Sequence, residues 1–309
     1  MAFKKDSWLV RGALIIAVAA FLAVSVLGVI SSNRSGGASP VASSSQGADR
    51  VTQLEGEIKG YTAVLGREPN NQTALRGIID AKAELGDLEG TVEPLERLAE
   101  LNPTVSEYSI ILAQTKQQLG DAEGAAQIYR RVLTQVPGNV QALDGLVQLL
   151  ITQDRTEAAV GLLRDTLATA DQSNELNPGS IDKLSVKLLL GQVFVAQKKY
   201  DDALKIYDET ITEAKAASPA QPDFRPTLAK ALVLQEKGDA AAAKPLFDEA
   251  LEMAPVQYKD GVQQLISENT APVESEAAVD EATEGVEGAE AGASDEASES
   301  EAPVAPPAQ

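Results

Sequence analysis

SEYSIILAQTKQQLGDAEGAAQIYRRVLTQVP, residues 106–137, carries two apolar stripes at helical spacing, separated by one break. Ile110, Leu112, Ala113 and Leu119 mark the first stripe, and Ala125, Ile128, Tyr129, Val132 and Leu133 mark the second. Between them lies Gly120-Asp121. Glycine accepts the left-handed conformation that ends one helix, and aspartate caps the start of the next. Pro137 closes the second helix, because proline lacks the N–H needed to continue it. The stretch therefore reads as a tight helix-turn-helix, with small Ala113 and Ala125 where the backbones approach and bulky Tyr129 one turn on.

The same frame fits the sequence on both sides without a gap. Upstream, residues 72–103 bring Leu75, Ile78, Gly86-Asp87, Leu95, Leu98 and Pro103; downstream, residues 140–170 bring Leu143, Leu146, Ala159, Leu163 and Leu167. A fourth copy over 181–216 shows Leu190-Gly191, Phe194, Tyr200, Ala203 and Tyr207, and a fifth over 224–255 shows Ala231, Gly238-Asp239, Ala243, Phe247 and Pro255. Pro69, Pro103 and Pro137 keep one register, about 34 residues apart. Asp154 and Lys198 stand where the turn glycine is expected, and Ile79 and Thr91 stand at small contact positions.

A small residue in each helix, an aromatic in the second and a terminal proline make these copies resemble the tetratricopeptide repeat. The resemblance covers roughly residues 50–267 and implies an all-α, right-handed α-solenoid that recognises other proteins along the surface formed by its first helices. Residues 49–68 match a second helix without its first, which suits a cap, and residues 256–267 supply a short closing helix.

Outside the array the sequence changes character three times. Residues 1–12 hold Lys4, Lys5 and Arg11 and are followed by Ala13–Ile30, an uncharged run of 18 residues. With Trp8, Leu9 and Val10 it is long enough to cross a hydrocarbon core of about 30 Å, and longer than the apolar part of an ordinary signal peptide. The span is expected to be an uncleaved transmembrane helix. Its upstream basic residues predict a cytosolic N-terminus and a repeat region on the exported side, whether periplasmic, lumenal or extracellular. Residues 31–48, rich in Ser, Gly and Ala, read as a flexible linker. Residues 268–309 hold 12 of the acidic residues and no Lys or Arg, which leaves −8 of the net charge of −20 on the remainder. With few large apolar side chains this tail is expected to be disordered. Two polar stretches, 171–180 and 217–225, read as loop insertions before the fourth and fifth copies.

The chain has no Cys and no His. Disulfides, thiolate or imidazole metal sites and Cys or His catalysis are thereby excluded. No Gly-rich phosphate loop follows a strand, and the acidic pair Asp201-Asp202 is explained by a helix N-terminus, which favours anions. No cofactor, metal, catalytic residue or small-molecule substrate is expected. The acidic balance argues against a nucleic-acid partner, since phosphate contacts need a basic face. Protein partners and, through Ala13–Ile30, a membrane are expected.

Register assigns the partner-binding candidates. First-helix positions turned away from the packing residues include Arg76 and Asp80, Gln114 and Gln118, Asp144 and Gln148, Gln192, and Arg225, with Ile110, Ser185, Leu188, Leu228 and Leu232 on the same lines. Amides both donate and accept, which suits main-chain contacts to an extended peptide. Chaperone-binding tetratricopeptide proteins grip a C-terminal carboxylate with a basic, Asn-containing clamp. Arg76, Asp80 and Gln114 match it only in part, because Asp80 places a negative charge where that clamp has an amide. Three functional classes are consistent with the sequence: a membrane-anchored scaffold or assembly factor, a permanent structural subunit of a membrane or secretion complex, and, more remotely, a carboxylate-based enzyme.

Overall fold

The computed structural model describes residues 43–216 and 223–270. The predicted cytosolic segment 1–12, the transmembrane helix 13–30, most of the linker and the acidic tail beyond Thr270 lie outside the described residues, as do residues 217–222 of the second insertion. No described helix is long and apolar enough to cross a membrane. The described residues form helices and no strand.

A lone helix, α1 (Ser43–Leu65), precedes five pairs: α2 (Gln72–Glu84) with α3 (Val92–Leu101), α4 (Ser106–Gln118) with α5 (Ala122–Gln135), α6 (Val140–Thr152) with α7 (Thr156–Leu176), α8 (Lys183–Ala196) with α9 (Tyr200–Ala216), and α10 (Phe224–Glu236) with α11 (Ala240–Met253). A last helix, α12 (Val256–Thr270), follows. Each helix packs on the next in chain order. First helices also meet the first helix two along, α4 with α6, α6 with α8 and α8 with α10, whereas second helices make no contact of comparable extent with one another. The first helices therefore form the more closely spaced of two layers, which makes theirs the inner side of the stack.

Within each pair the turn is the same object five times over. The N–H three residues past the helix bonds back across the last turn: Asp87 to the Lys82 carbonyl at 2.9 Å, Asp121 to Lys116 at 2.8 Å, Arg155 to Leu150 at 2.7 Å, Lys199 to Phe194 at 2.8 Å and Asp239 to Leu234 at 2.9 Å. This closure needs a left-handed residue just before. Gly86, Gly120 and Gly238 supply it at φ of 75°, 85° and 87°, and Asp154 and Lys198 adopt it at 57° and 58° without being glycine. Side-chain caps then start the following helices. Asp121 accepts from the Gly124 N–H and Asp239 from that of Ala242, while Asn71 and Asn139 do the same for α2 and α6.

The core runs between layers instead of around a centre. One cluster of buried residues extends from Leu95 to Val233 through Ala113, Ala125, Tyr129, Ala159, Leu163, Ala203 and Tyr207. A second gathers Leu228, Ala231, Leu232, Ala243, Phe247, Ala250 and Val262. Helix α10 contributes to both, Val233 to the first and Leu228 to the second.

Several boundaries differ from the sequence expectation. Helix α1 begins at Ser43, inside the stretch read as linker, and ends at Leu65 instead of 68. Ser and Gly lower helix propensity without forbidding it, and the interspersed Ala favours helix. The first insertion is mostly not a loop: α7 continues to Leu176, and the turn is confined to 177–182. Asn174 pins that turn, accepting from the Ile181 N–H and donating to its carbonyl, both at 2.9 Å. The second helix of the first copy opens with a 3-10 turn, Glu89–Thr91, before α3, and Thr91 is buried where a small residue was expected. The closing helix runs to Thr270, past residue 267.

Candidate functional site

Two register lines run along the inner layer. One passes through Arg76, Ile110, Asp144, Leu188 and Leu228, and the other through Asp80, Gln114, Gln148, Gln192 and Leu232. Burial divides them. Ile110, Leu228 and Leu232 are buried among core side chains, and so is Ser185, which corrects the expectation that they line an open surface. The apolar patch expected toward the far end is thus largely core. Leu228 and Leu232 pack in the cluster with Phe247 and Val262, where α11 and α12 cover them, and Ile110 lies within the first cluster.

The cations are already engaged. Arg76 is exposed and donates to the Tyr108 hydroxyl at 2.9 Å and to Gln72 at 3.3 Å, its guanidinium lying 5.7 Å from the centre of the Tyr108 ring. Tyr108 was not singled out in the sequence, where no periodic signal marks it. Arg225 is half-buried and clamped by Asp223 through bonds of 2.6 to 3.0 Å, and it reaches the Ser185 hydroxyl at 3.3 Å. Burial opposes its charge, but the Asp223 hydrogen bonds and the charges of Asp223, Asp182 and Tyr258 outweigh that and hold the guanidinium above its ordinary value. Arg225 therefore fastens the start of α10 to α8 and is not open to a partner.

The acids and amides are less satisfied. Asp80 is exposed, and partial burial of its carboxyl raises its pKa, an effect Arg76 one turn before partly reverses. Gln114 is half-buried and Gln118 exposed. Asp144 is partly exposed, yet burial pushes its carboxyl up to about 6, and the Gln148 amide one turn on lowers it only in part. Asp144 Oδ1 and Gln148 Nε2 are both closed to solvent, and neither has a partner beyond the interaction of the two side chains with each other. Gln192, 8% exposed, has an Nε2 that is closed to solvent and has no partner. Gln148 is half-buried and Gln192 buried, so both are more enclosed than the exposed groove positions that register predicts.

Tyr129 explains the enclosure of Asp144. Its ring lies against Gly145, where an added Cβ would come 2.3 Å from Cζ and 2.6 Å from the hydroxyl. Burial, with a smaller contribution from the Asp144 charge, pushes that phenol up to about 12. Tyr61 against Gly77 repeats the arrangement between α1 and α2. These glycines were not identified from sequence, although each lies 16 residues after its tyrosine. Among the described residues, no group of three His, Cys, Asp or Glu side chains converges as for a metal.

Two family profiles, each described as tetratricopeptide repeat, match residues 117–178 and 228–257. The first runs from the end of α4 to the end of α7, and the second spans α10 to the start of α12. The chain carries tetratricopeptide repeats. Over 238 residues it is 25% identical to the Arabidopsis thaliana protein SLOW GREEN 1, chloroplastic, covering 77% of this chain and 72% of the relative. Among solved structures it is similar to a tetratricopeptide repeat protein from Parabacteroides merdae (17% identity, 72% of this chain and 79% of the other, TM-score 0.45). It is also similar to a thermophilic tetratricopeptide protein of Thermus thermophilus (18% identity, 63% and 98%, TM-score 0.41). Such an array offers other proteins an extended recognition surface.

Proposed function

We propose that this protein is a scaffold or assembly factor that holds partner proteins along the first-helix layer of its tetratricopeptide array, close to a bilayer to which Ala13–Ile30 fastens it. One observation carries the protein-binding part. The first helices stand side by side and present a line of amides, Gln114, Gln148 and Gln192, along one layer. A repeat stack offers such a surface more readily than a closed pocket.

The membrane part rests on the uncharged 18-residue run and on the basic residues before it. Those residues support an N-terminus in the cytosol and an array on the exported side. The chloroplast address in the name of the Arabidopsis relative supports including a photosynthetic membrane among those examined.

The test is crosslinking of the anchored protein in its own membrane, followed by identification of what is captured. A specific membrane-associated protein attached to first-helix residues is the expected result. Capture of nothing specific, or attachment only through second helices, would sink the reading. Protease protection tests the orientation: repeats digested only from the cytosolic side would reverse it.

A further inference from the structure

The two register lines of the inner layer end at Leu228 and Leu232, and a segment of the same chain already covers both. Helix α12 runs alongside α10 and meets it in order: the Tyr258 ring lies 6.0 Å from that of Phe224, Val262 is buried with Leu228 and Leu232, and the Asn269 carbonyl accepts from the Gln235 amide at 3.2 Å. It stands where the first helix of a sixth repeat would, without the second helix that backs each of the other five among the described residues.

This helix is lightly held. Val262 alone of its 15 residues is buried, with Leu265 and Ile266 half-buried, whereas α10 buries six of 13. At the opposite end α1 is fixed by the two Arg50–Glu84 hydrogen bonds at 2.5 Å and packs on α2 over a longer contact than α12 makes with α10 or α11. Gly261 sits mid-helix, where it lowers propensity, and a helix this short is marginal by itself. Helix α12 therefore exists because the seat on α10 and α11 holds it. What fills the seat defines what fits: apolar side chains at 258, 262, 265 and 266, the i, i+4, i+7, i+8 stripe of an amphipathic helix laid in a groove. We propose, on the protein-binding reading above, that α12 is an intramolecular strap over this seat, and that an amphipathic helix of a partner protein with the same apolar spacing takes its place.

The test uses the purified full chain and, as probe, a fluorescent synthetic peptide with the sequence of residues 256–270. Val262→Asp loosens the tethered α12, whereas Val256→Asp adds the same charge to the same helix at a position 84% exposed. A tethered segment competes at an effective concentration of about millimolar, so the peptide is expected to bind Val262→Asp at least about tenfold more tightly than the wild type or Val256→Asp. A peptide that itself carries Val262→Asp is expected not to bind. Amide exchange of the wild type needs no variant: α12 is expected to exchange well before α10 and α11. Equal affinities in the three chains, no binding to Val262→Asp while α10 and α11 keep their protection, or protection of α12 equal to that of α11 would overturn the inference. Loss of α10 and α11 protection in Val262→Asp would do so too, since α12 would then be part of the core and no strap. None of these results touches the scaffold reading, which falls only to its own crosslinking test.

Discussion

At the scale of single residues, the most consequential side chain is one that opposes folding. Asp144 titrates in the folded protein near 6, against an ordinary value of 3.8, because burial penalises its charged form. Its folded-state pKa lies above the unfolded value, so the native state is favoured most when pH is below both and loses stability as pH rises through about 6. Asp144→Asn removes that penalty. It is expected to stabilise the array by about 1–3 kcal/mol at neutral pH, with the gain shrinking by about half at pH 5, as measured by chemical denaturation at the two values. An unchanged midpoint at both would show that the carboxylate is well solvated. Lys198 offers a second case. It holds a left-handed φ of 58° at a turn where Gly86, Gly120 and Gly238 stand in three other copies, and a lysine Cβ is strained there. Lys198→Gly is expected to raise stability by up to about 1 kcal/mol, and less at Asp154, since aspartate tolerates that conformation better.

Between elements, stability depends on how large and small side chains alternate across the helix contacts. Tyr129 of α5 fills the space above Gly145 of α6, as Tyr61 does above Gly77 and Tyr207 above Gly191. Gly145→Ala is therefore expected to cost about 1–3 kcal/mol, and Tyr129→Leu in the same chain to recover part of it. The same substitution at Gly161, on the exposed face of α7 with nothing within 4 Å, should have the opposite sign, a gain of about 0.5–1 kcal/mol from helix propensity. Thermal melts of the three variants check both signs. The glycine–tyrosine contacts were not legible in the sequence, because nothing in a single helix stripe states which residue of the neighbouring helix it meets. The turns were legible, since Gly-Asp signals a local backbone requirement. The length of α7 was not, because a polar sequence such as DQSNEL is compatible with either helix or loop.

For the whole molecule, the division of the core into two clusters sets how it unfolds. The second cluster belongs to α10, α11 and α12 and shares only α10 with the first. In a stack of repeats, stability is close to a sum of unit and neighbour contributions. Ala243→Leu, at a fully buried contact, is therefore expected to remove amide-exchange protection from α11 and α12 while leaving α2 to α7 protected. Uniform loss along the chain would mean that the array behaves as one cooperative body. Association is the other property at this scale. Co-migration with one complex at fixed stoichiometry would favour a permanent structural subunit, and substoichiometric, transient capture favours the assembly factor proposed above.

The sequence by itself determined the helical class, the repeat register, the positions of the turns and the lack of thiol or imidazole chemistry, because each depends on local backbone preference or on residues simply being present or absent. Tertiary structure alone decided which inner-face positions stay open. Ile110, Leu228, Leu232 and Gln192 are covered and Arg225 is locked onto Asp223, while Arg76, Asp80 and Gln118 stay exposed. Exposure and hydrogen-bond satisfaction are set by the neighbouring helix, and its distance and rotation are not encoded in the periodicity of either helix alone.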